Sequence, residues 1–287
     1  MKKLILMIVL LFSMVAFSLN ISTTIYPYYL VLKEIAPKDS INLIVEPGKS
    51  PHTYALTPKD MAKVYRSNII IGNGLNAETF IEKLLSNLKK KNIEVLLCGD
   101  SIPKKELINV KNEGINPHIW LNPKFMYEYI IPNILEKLII LNPKEKNLYE
   151  KNSKKLIERL KKLDVYLLNL SNNINGSIYT FHPSFDYFAQ RYGIKIAGII
   201  ETSPGVEPSA KQLKELSKNA KGVKAIFTEP QLNGKSARKI SETLKINKGI
   251  LDPIGSFEIK KIDELYINNM FEILKKVDFY EINKNKN

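Results

Sequence analysis

The chain has 287 residues, 44% of them apolar, a formal net charge of +14 at pH 7 and one cysteine, Cys98. The positive charge does not indicate a nucleic-acid-binding protein, because arginines are few, the lysines are scattered among glutamates and asparagines, and no basic run alternates with aromatic residues. A lone cysteine excludes a disulfide within the chain and leaves none near the start to carry a lipid.

Residues 1–18 are typical of a secretory signal peptide. Two lysines precede an apolar run at 4–17, and Ala16 and Ser18 are small residues spaced for cleavage. The alternative is a membrane anchor, but a run of about 14 apolar residues is shorter than the roughly 20 that span a bilayer. We therefore expect an exported, soluble periplasmic protein without a lipid anchor.

The next part of the chain, 19–141, is predicted to form a first lobe. Short apolar runs alternate with helical periodicity, which is the pattern of strands and helices that build parallel sheets. Thr57 before Pro58 is an expected helix start. The predicted strands lie at 21–25, 41–45, 68–71 and 93–97.

The middle of the chain predicts two consecutive helices, at 123–140 and 143–171. Each begins with an asparagine followed by a proline, Asn122 and Asn142 being the expected caps. Leucines of the second helix recur at spacings of four and three, which places them on one face. They extend over too few heptads for a coiled coil, so we interpret residues 142–172 as a helix that links two lobes, roughly 43 Å long at 1.5 Å per residue.

The last part, 173–287, repeats the alternation and predicts a second lobe. Its expected strands lie at 177–180, 194–200, 225–228 and 249–251, and a final helix begins near Ile262. The predicted fold class is α/β: two lobes, each a parallel sheet flanked by helices, joined by one long linking helix.

The three histidines of the chain all adjoin a proline. They are His52 after Pro51, His118 after Pro117, and His182 before Pro183. Proline fixes its own φ and restricts the residue before it, so each imidazole is expected on a stiffened loop.

The histidines and Asp252 follow predicted strands, and ligands of open parallel sheets bind beyond the carboxyl ends of strands. Two of these four residues belong to each lobe, so they converge if the lobes face each other across a cleft. Three imidazoles and one carboxylate form a four-ligand set that suits zinc, whereas manganese favours more oxygen ligands. Glu201 and Glu229 also end strands and could replace or supplement Asp252.

Several motifs extend over nearly the whole chain after the signal peptide. They are EPGKSPHTYALTP at 46–58, IIIGNGLNAETF at 69–80, NPHIWLNP at 116–123, TFHPSFDYFAQRYGI at 180–194, EPSAKQL at 207–213, AIFTEPQ at 225–231 and LDPIG at 251–255. With these motifs the chain resembles the zinc- and manganese-binding solute receptors of ABC importers, the metal-receptor group with a rigid linking helix.

The resemblance implies that His52, His118, His182 and Asp252 bind the metal, and that the partner is a membrane permease. In this family a histidine at the third position favours zinc over manganese, and the chain has His182 there. The sequence departs from the family at Ala55 and Asn116, which replace acidic residues common beside the first two ligands. It also lacks the histidine-rich loop that many zinc receptors carry before the second ligand.

Two other functions are compatible with parts of the sequence. A zinc hydrolase could use the three histidines with Glu229 as base, but the chain has no H-E-x-x-H or comparable catalytic spacing. Adhesion, described for members of this family, is a second alternative. We expect a monomeric receptor that is not an enzyme, and whose metal affinity falls as pH drops through the imidazole range near 6.5.

Overall fold

The computed structural model describes residues 18–110, 114–201, 209–232 and 234–284. The expected signal peptide lies outside these residues except for Ser18. None of the helices in the described ranges has the length and apolarity that a membrane span requires.

The first lobe contains a sheet of four parallel strands in the order β2-β1-β3-β4. β1 ends earlier than predicted, because Ile25 already precedes the first helix and Pro27 lies in its first turn. The strands are β1 (Asn20–Thr23), β2 (Ser40–Leu43), β3 (Ile69–Gly72) and β4 (Glu94–Leu97), and the helices are α1 (Tyr26–Ile35), α2 (Pro58–Tyr65) and α3 (Thr79–Lys90).

A short antiparallel pair, β5 (Asn109–Val110) and β6 (Gly114–Ile115), leads into the connection between the lobes. The helix predicted at 123–140 is present but interrupted. It consists of α4 (Pro123–Phe125), a π-helical turn at Met126–Ile130 and α5 (Ile131–Leu141). Pro132 has no backbone N–H to continue the regular helical ladder, which accounts for the irregular turn before it.

The linking helix α6 (Lys146–Ser171) has 26 residues, about 39 Å at 1.5 Å per residue. Its buried face includes Leu156, Leu160 and Leu167, as the leucine spacing predicts. The expected cap at Asn142 is wrong: its side chain makes no capping hydrogen bond, Pro143–Glu145 forms a 3₁₀ turn, and Asn142 Nδ2 instead faces the Tyr149 hydroxyl at 3.4 Å.

The second lobe contains four parallel strands in the order β10-β9-β7-β8. Ser209 caps α8 through a reciprocal pair of hydrogen bonds with Gln212, and the last helix begins at Ile262 as predicted. The elements are β7 (Ser177–Thr180), β8 (Lys195–Ile199), β9 (Val223–Thr228), β10 (Asn247–Ile250), α7 (Asp186–Tyr192), α8 (Ala210–Lys218), α9 (Lys235–Leu244) and α10 (Ile262–Lys284).

Charged side chains of the linking helix tie the lobes together. Arg159 makes paired hydrogen bonds of 2.7–2.8 Å with Glu34 of α1 and Asp263 of α10. Asp164 is 1% exposed and accepts hydrogen bonds from Tyr127, Arg191 and Tyr192. Both lobes also share one hydrophobic core with α6. Because these ties contact both lobes, a wide hinge motion would have to break them.

Candidate metal centre

The structure brings the three histidines together where the two lobes meet. Nε2 of His118 lies 3.1 Å from Nε2 of His52 and 3.1 Å from Nε2 of His182. Among the described residues, these three form the group of potential ligands whose donor atoms all lie within 4.8 Å of one another. The first lobe supplies two of them and the second lobe supplies one.

This spacing matches what a tetrahedral metal requires. Two nitrogens bound at about 2.05 Å with a tetrahedral angle lie about 3.3 Å apart. The observed nitrogen separations of 3.1 Å are slightly shorter. Two of the three nitrogen pairs therefore lie at about the separation found between the ligands of a tetrahedral zinc ion.

His52 lies on the loop between β2 and α2. Hydrogen bonds stabilise the end of this loop, next to α2. Thr57 and Asp60 form a reciprocal cap of α2, and the Tyr54 hydroxyl donates to Asp60 Oδ2 at 2.8 Å. The His52 ring itself has a hydrogen bond to the backbone of Ala77. Local sequence thus fixes this loop, while the ring is oriented by a second loop.

That second loop also supports His118. Asn73, directly after β3, donates through Nδ2 to the carbonyl of Pro117 at 2.8 Å. The buried carboxylate of Glu78 accepts from the backbone N–H groups of Asn73 and Gly74 at 2.8 and 3.1 Å. One hydrogen-bonded turn therefore contacts both histidine-bearing loops of the first lobe and fixes their positions relative to each other.

Asn116 sets the orientation of His118. Its Oδ1 lies 2.8 Å from Nδ1 of the ring and also accepts the His118 backbone N–H at 3.0 Å. An amide oxygen can only accept, so Nδ1 carries the proton and Nε2 presents its lone pair to the other histidines. The Asn116 Nδ2 group donates to the Pro183 carbonyl at 2.6 Å and to Asp186 at 3.1 Å, which links the two lobes.

Glu229, at the end of β9, faces the third histidine. Its Oε1 lies 2.5 Å from Nδ1 of His182 and accepts the Ser184 hydroxyl at 2.7 Å. The two groups are not aligned for a hydrogen bond, so the contact is electrostatic. A carboxylate beside Nδ1 favours a proton there and leaves Nε2 free for an ion. Glu229 therefore orients His182, and it is not a member of the group of potential metal ligands among the described residues.

Burial keeps two of the imidazoles neutral. Desolvation, followed by the neighbouring His182, lowers the pKa of His52 to about 4, and a hydrogen bond to the Ala77 backbone partly opposes this. Desolvation and the other two histidines hold the pKa of His118 well below its usual value. His52 and His118 therefore stay neutral at a lower pH than a free imidazole, which takes up a proton near 6.5.

The space beside the histidines fits an ion. A cavity of about 20 Å³ is lined by the three histidines together with Ser50, Pro51, Trp120, Glu229, Gln231, Leu232, Pro253 and Ile254. A second cavity of about 150 Å³ borders the same histidines. Sites for organic ligands usually have volumes of roughly 300–1,000 Å³, so an ion is the better match.

Asp252 and Glu201, the other candidate ligands, lie outside the histidine group. Asp252 follows β10, and its Oδ1 accepts hydrogen bonds from Gln231, Ile254 and Gly255. The next two residues in the chain line the small cavity, so Asp252 is close to it. Glu201 is buried, and its backbone N–H donates to Phe181 at 2.7 Å.

The comparisons with known proteins agree with this geometry. A family model described as ZnuA, zinc-uptake complex component A, periplasmic, matches residues 21–278. The chain belongs to this family. A Thermotoga maritima protein named for metal binding is 31% identical over 275 residues, which cover 94% of this chain and 97% of that protein.

Two further matches connect the ZnuA family to zinc. The zinc-binding lipoprotein AdcA of Streptococcus pneumoniae is 32% identical over 278 residues, 90% of this chain, but the matched part is 54% of AdcA, so the chain spans about half of that relative. The crystal structure of the Zn(II)-bound ZnuA-like domain of S. pneumoniae AdcA is 27% identical, with a TM-score of 0.77 and coverage of 91% of this chain and 100% of that one. The α/β fold with two sheets and a long helix is thus the fold of this family.

Some residues of the site were not identified from the sequence as ligand supports. The sequence indicates Asn116 only as a departure from the family, whereas its side chain orients His118 and connects the lobes. Trp120 donates through Nε1 to the Pro253 carbonyl at 2.7 Å and contacts the His118 ring. Gln231 lies two residues after Glu229. Its position after β9 is the sequence feature that could have identified it as part of the site.

Proposed function

We propose that this protein captures a divalent transition metal outside the cytoplasm and delivers it to the permease of an ABC importer. Zinc is the favoured metal and manganese the alternative. The proposed ligands are His52, His118, His182 and Asp252. The proposed form is an exported monomer.

One observation carries the proposal: imidazoles from two lobes converge, with Nε2 of His118 3.1 Å from Nε2 of both His52 and His182, close to the spacing of a tetrahedral site. The other ring nitrogens face Ala77, Asn116 and Glu229, so the free lone pairs point toward each other. Converging lone pairs repel each other unless a proton or a cation lies among them. The lowered pKa values of His52 and His118 disfavour the proton, which leaves the cation.

Asp252 supports the proposal as the fourth ligand because its loop borders the cavity and its charge would offset that of the ion. Its carboxylate lies outside the group of histidine nitrogens, so binding requires a local approach of the Asp252 loop. The ties that α6 makes to both lobes favour such local adjustments over a large domain closure.

A zinc hydrolase is not supported by these contacts. The base that such an enzyme would need, Glu229, is engaged with His182 and Ser184. The two cavities beside the histidines, of about 20 and 150 Å³, are smaller than the roughly 300–1,000 Å³ of sites for organic ligands. The relatives are named for metal binding and zinc uptake.

The proposal is tested first on the purified protein. Metal content after purification without chelators, followed by competition of zinc and manganese against a chromophoric chelator, identifies the preferred ion. We expect one equivalent of zinc to bind, and His118→Asn to reduce its affinity at least 100-fold, since a buried ligand is lost. Gln190→Met, an exposed change outside the cavity, serves as the control.

A second experiment tests transport. A strain that lacks the gene should grow poorly in zinc-depleted medium and recover when zinc is added, and His118→Asn should not complement it. Wild-type growth of the deletion strain under depletion, or zinc binding that survives His118→Asn, would contradict the proposal.

A further inference from the structure

Gln231 connects the proposed fourth ligand to the histidine cavity. Its side chain lines that cavity, and its Nε2 donates to Asp252 Oδ1 at 2.9 Å. A carboxylate only accepts hydrogen bonds, so the NH₂ group of the amide must face Asp252 and Oε1 must face away. Oε1 is buried and has no hydrogen-bond partner among the described residues.

An unpaired buried oxygen is unfavourable for folding, so stability does not explain this amide. A Met or Leu side chain would fill the same space without leaving a polar atom unpaired. The contact that distinguishes the amide from such a side chain is its hydrogen bond to Asp252. The consequence of that bond lies at the carboxylate.

Three hydrogen bonds meet at one oxygen of Asp252. Oδ1 accepts from Gln231 and from the backbone N–H groups of Ile254 at 3.1 Å and Gly255 at 2.9 Å. Within the described ranges, no side chain or backbone group donates to Oδ2. The main chain of Asp252 is held separately, since its N–H donates to Asn269 Oδ1 and its carbonyl accepts from Asn269 Nδ2.

The three donors differ in where they come from. Ile254 and Gly255 belong to the loop of Asp252 and move with it when it approaches the histidines. Gln231 follows β9, the strand that ends beside Glu229, and reaches the carboxylate from outside the loop. It is therefore the donor that can fix the orientation of the carboxylate relative to the second lobe.

We propose that Gln231 is a specificity-determining residue that leaves Asp252 a single oxygen for the ion. Three imidazoles and one carboxylate oxygen give four donors, the number that zinc prefers. Manganese favours higher coordination with more oxygens, which Asp252 could supply only by binding through both oxygens. Holding Oδ1 thus favours zinc. This inference rests on the proposed function, with Asp252 as the fourth ligand.

The test compares Gln231→Met with Gln190→Met, a substitution of the same kind at an exposed position on α7. Dissociation constants for zinc and manganese are measured by chelator competition at one pH. Contacts that orient a metal ligand typically contribute 10- to 100-fold in affinity, so we expect Gln231→Met to weaken zinc binding about tenfold. Manganese affinity should change much less. The ratio of zinc affinity to manganese affinity should therefore fall about tenfold. Gln190→Met should leave both constants unchanged.

Cobalt(II) provides a readout of coordination that does not depend on affinity. Tetrahedral cobalt absorbs visible light strongly, whereas five- and six-coordinate cobalt absorbs weakly. We expect an intense band for the wild-type protein and a weaker one for Gln231→Met. Gln231→Glu keeps the length of the side chain but removes the donor and repels Asp252, so it should weaken the band further.

The outcomes separate this inference from the proposed function. If the wild-type protein binds zinc and His118→Asn abolishes binding, an unchanged or higher zinc-to-manganese ratio in Gln231→Met overturns the role of Gln231 alone. An unchanged cobalt spectrum in Gln231→Met would do the same. If the wild-type protein binds no zinc, the proposed function itself fails.

Discussion

Acid should destabilise the metal-free protein through its buried histidines. Burial and the neighbouring His182 lower the pKa of His52 from 6.5 to about 4 in the folded protein. Above pH 6.5 the ring is neutral in both the folded and the unfolded state, and the full stability is present. As pH falls from 6.5 toward 4, the unfolded chain takes up a proton that the folded chain does not, so stability is lost.

The size of the effect follows from the pKa difference. A change from 6.5 to about 4 corresponds to about 3 kcal/mol of unfolding free energy. Because the His52 ring is partly exposed, we expect about 2–3 kcal/mol from this residue. His118, whose pKa is held well below its usual value by burial and by the other two histidines, adds to the loss in the same direction.

Urea denaturation with a chelator present, between pH 7.5 and 4.5, measures this dependence. His52→Asn removes the titrating group, so its unfolding free energy should fall less with acid than that of the wild-type protein. The unfolding free energy of the wild-type protein minus that of His52→Asn should therefore fall by about 2–3 kcal/mol between pH 7.5 and pH 4.5. Curves that stay parallel to within about 0.5 kcal/mol would refute a lowered pKa for His52.

Three further outcomes are expected. Asn116→Leu should weaken zinc binding about 10- to 100-fold in chelator competition, because His118 loses the group that orients it; unchanged affinity would exclude that role. Asp164→Ala should cost about 3–5 kcal/mol in urea denaturation, since Tyr127 of the first lobe and Arg191 and Tyr192 of the second lose the buried carboxylate that they share. The exposed Glu158→Ala on the same helix should cost less than about 0.5 kcal/mol, and equal losses would refute the argument. Zinc binding at pH 7.5, followed with a pH indicator, should release almost no protons from His52 and His118, because both are already neutral; release of two or more protons would contradict this.

The fold could be predicted from local patterns because its elements are locally encoded. Apolar runs and leucine spacing are readable within a window of a few residues, and they located both sheets and α6. The errors lie where a single residue changes the local hydrogen bonding, inside a helix or at its start. Pro132 interrupts the helix predicted at 123–140, and Asn142 faces Tyr149 instead of capping the next helix.

The sequence by itself determined that the three histidines come together. Three histidines beside prolines follow strands, and the carboxyl ends of parallel strands lie on one edge of a sheet. The tertiary structure decided what each residue does there: Glu229 faces His182, Asn116 orients His118, and Asp252 is held by Gln231. These contacts join residues far apart in the chain and depend on ångström-scale packing of two lobes, which no local pattern records.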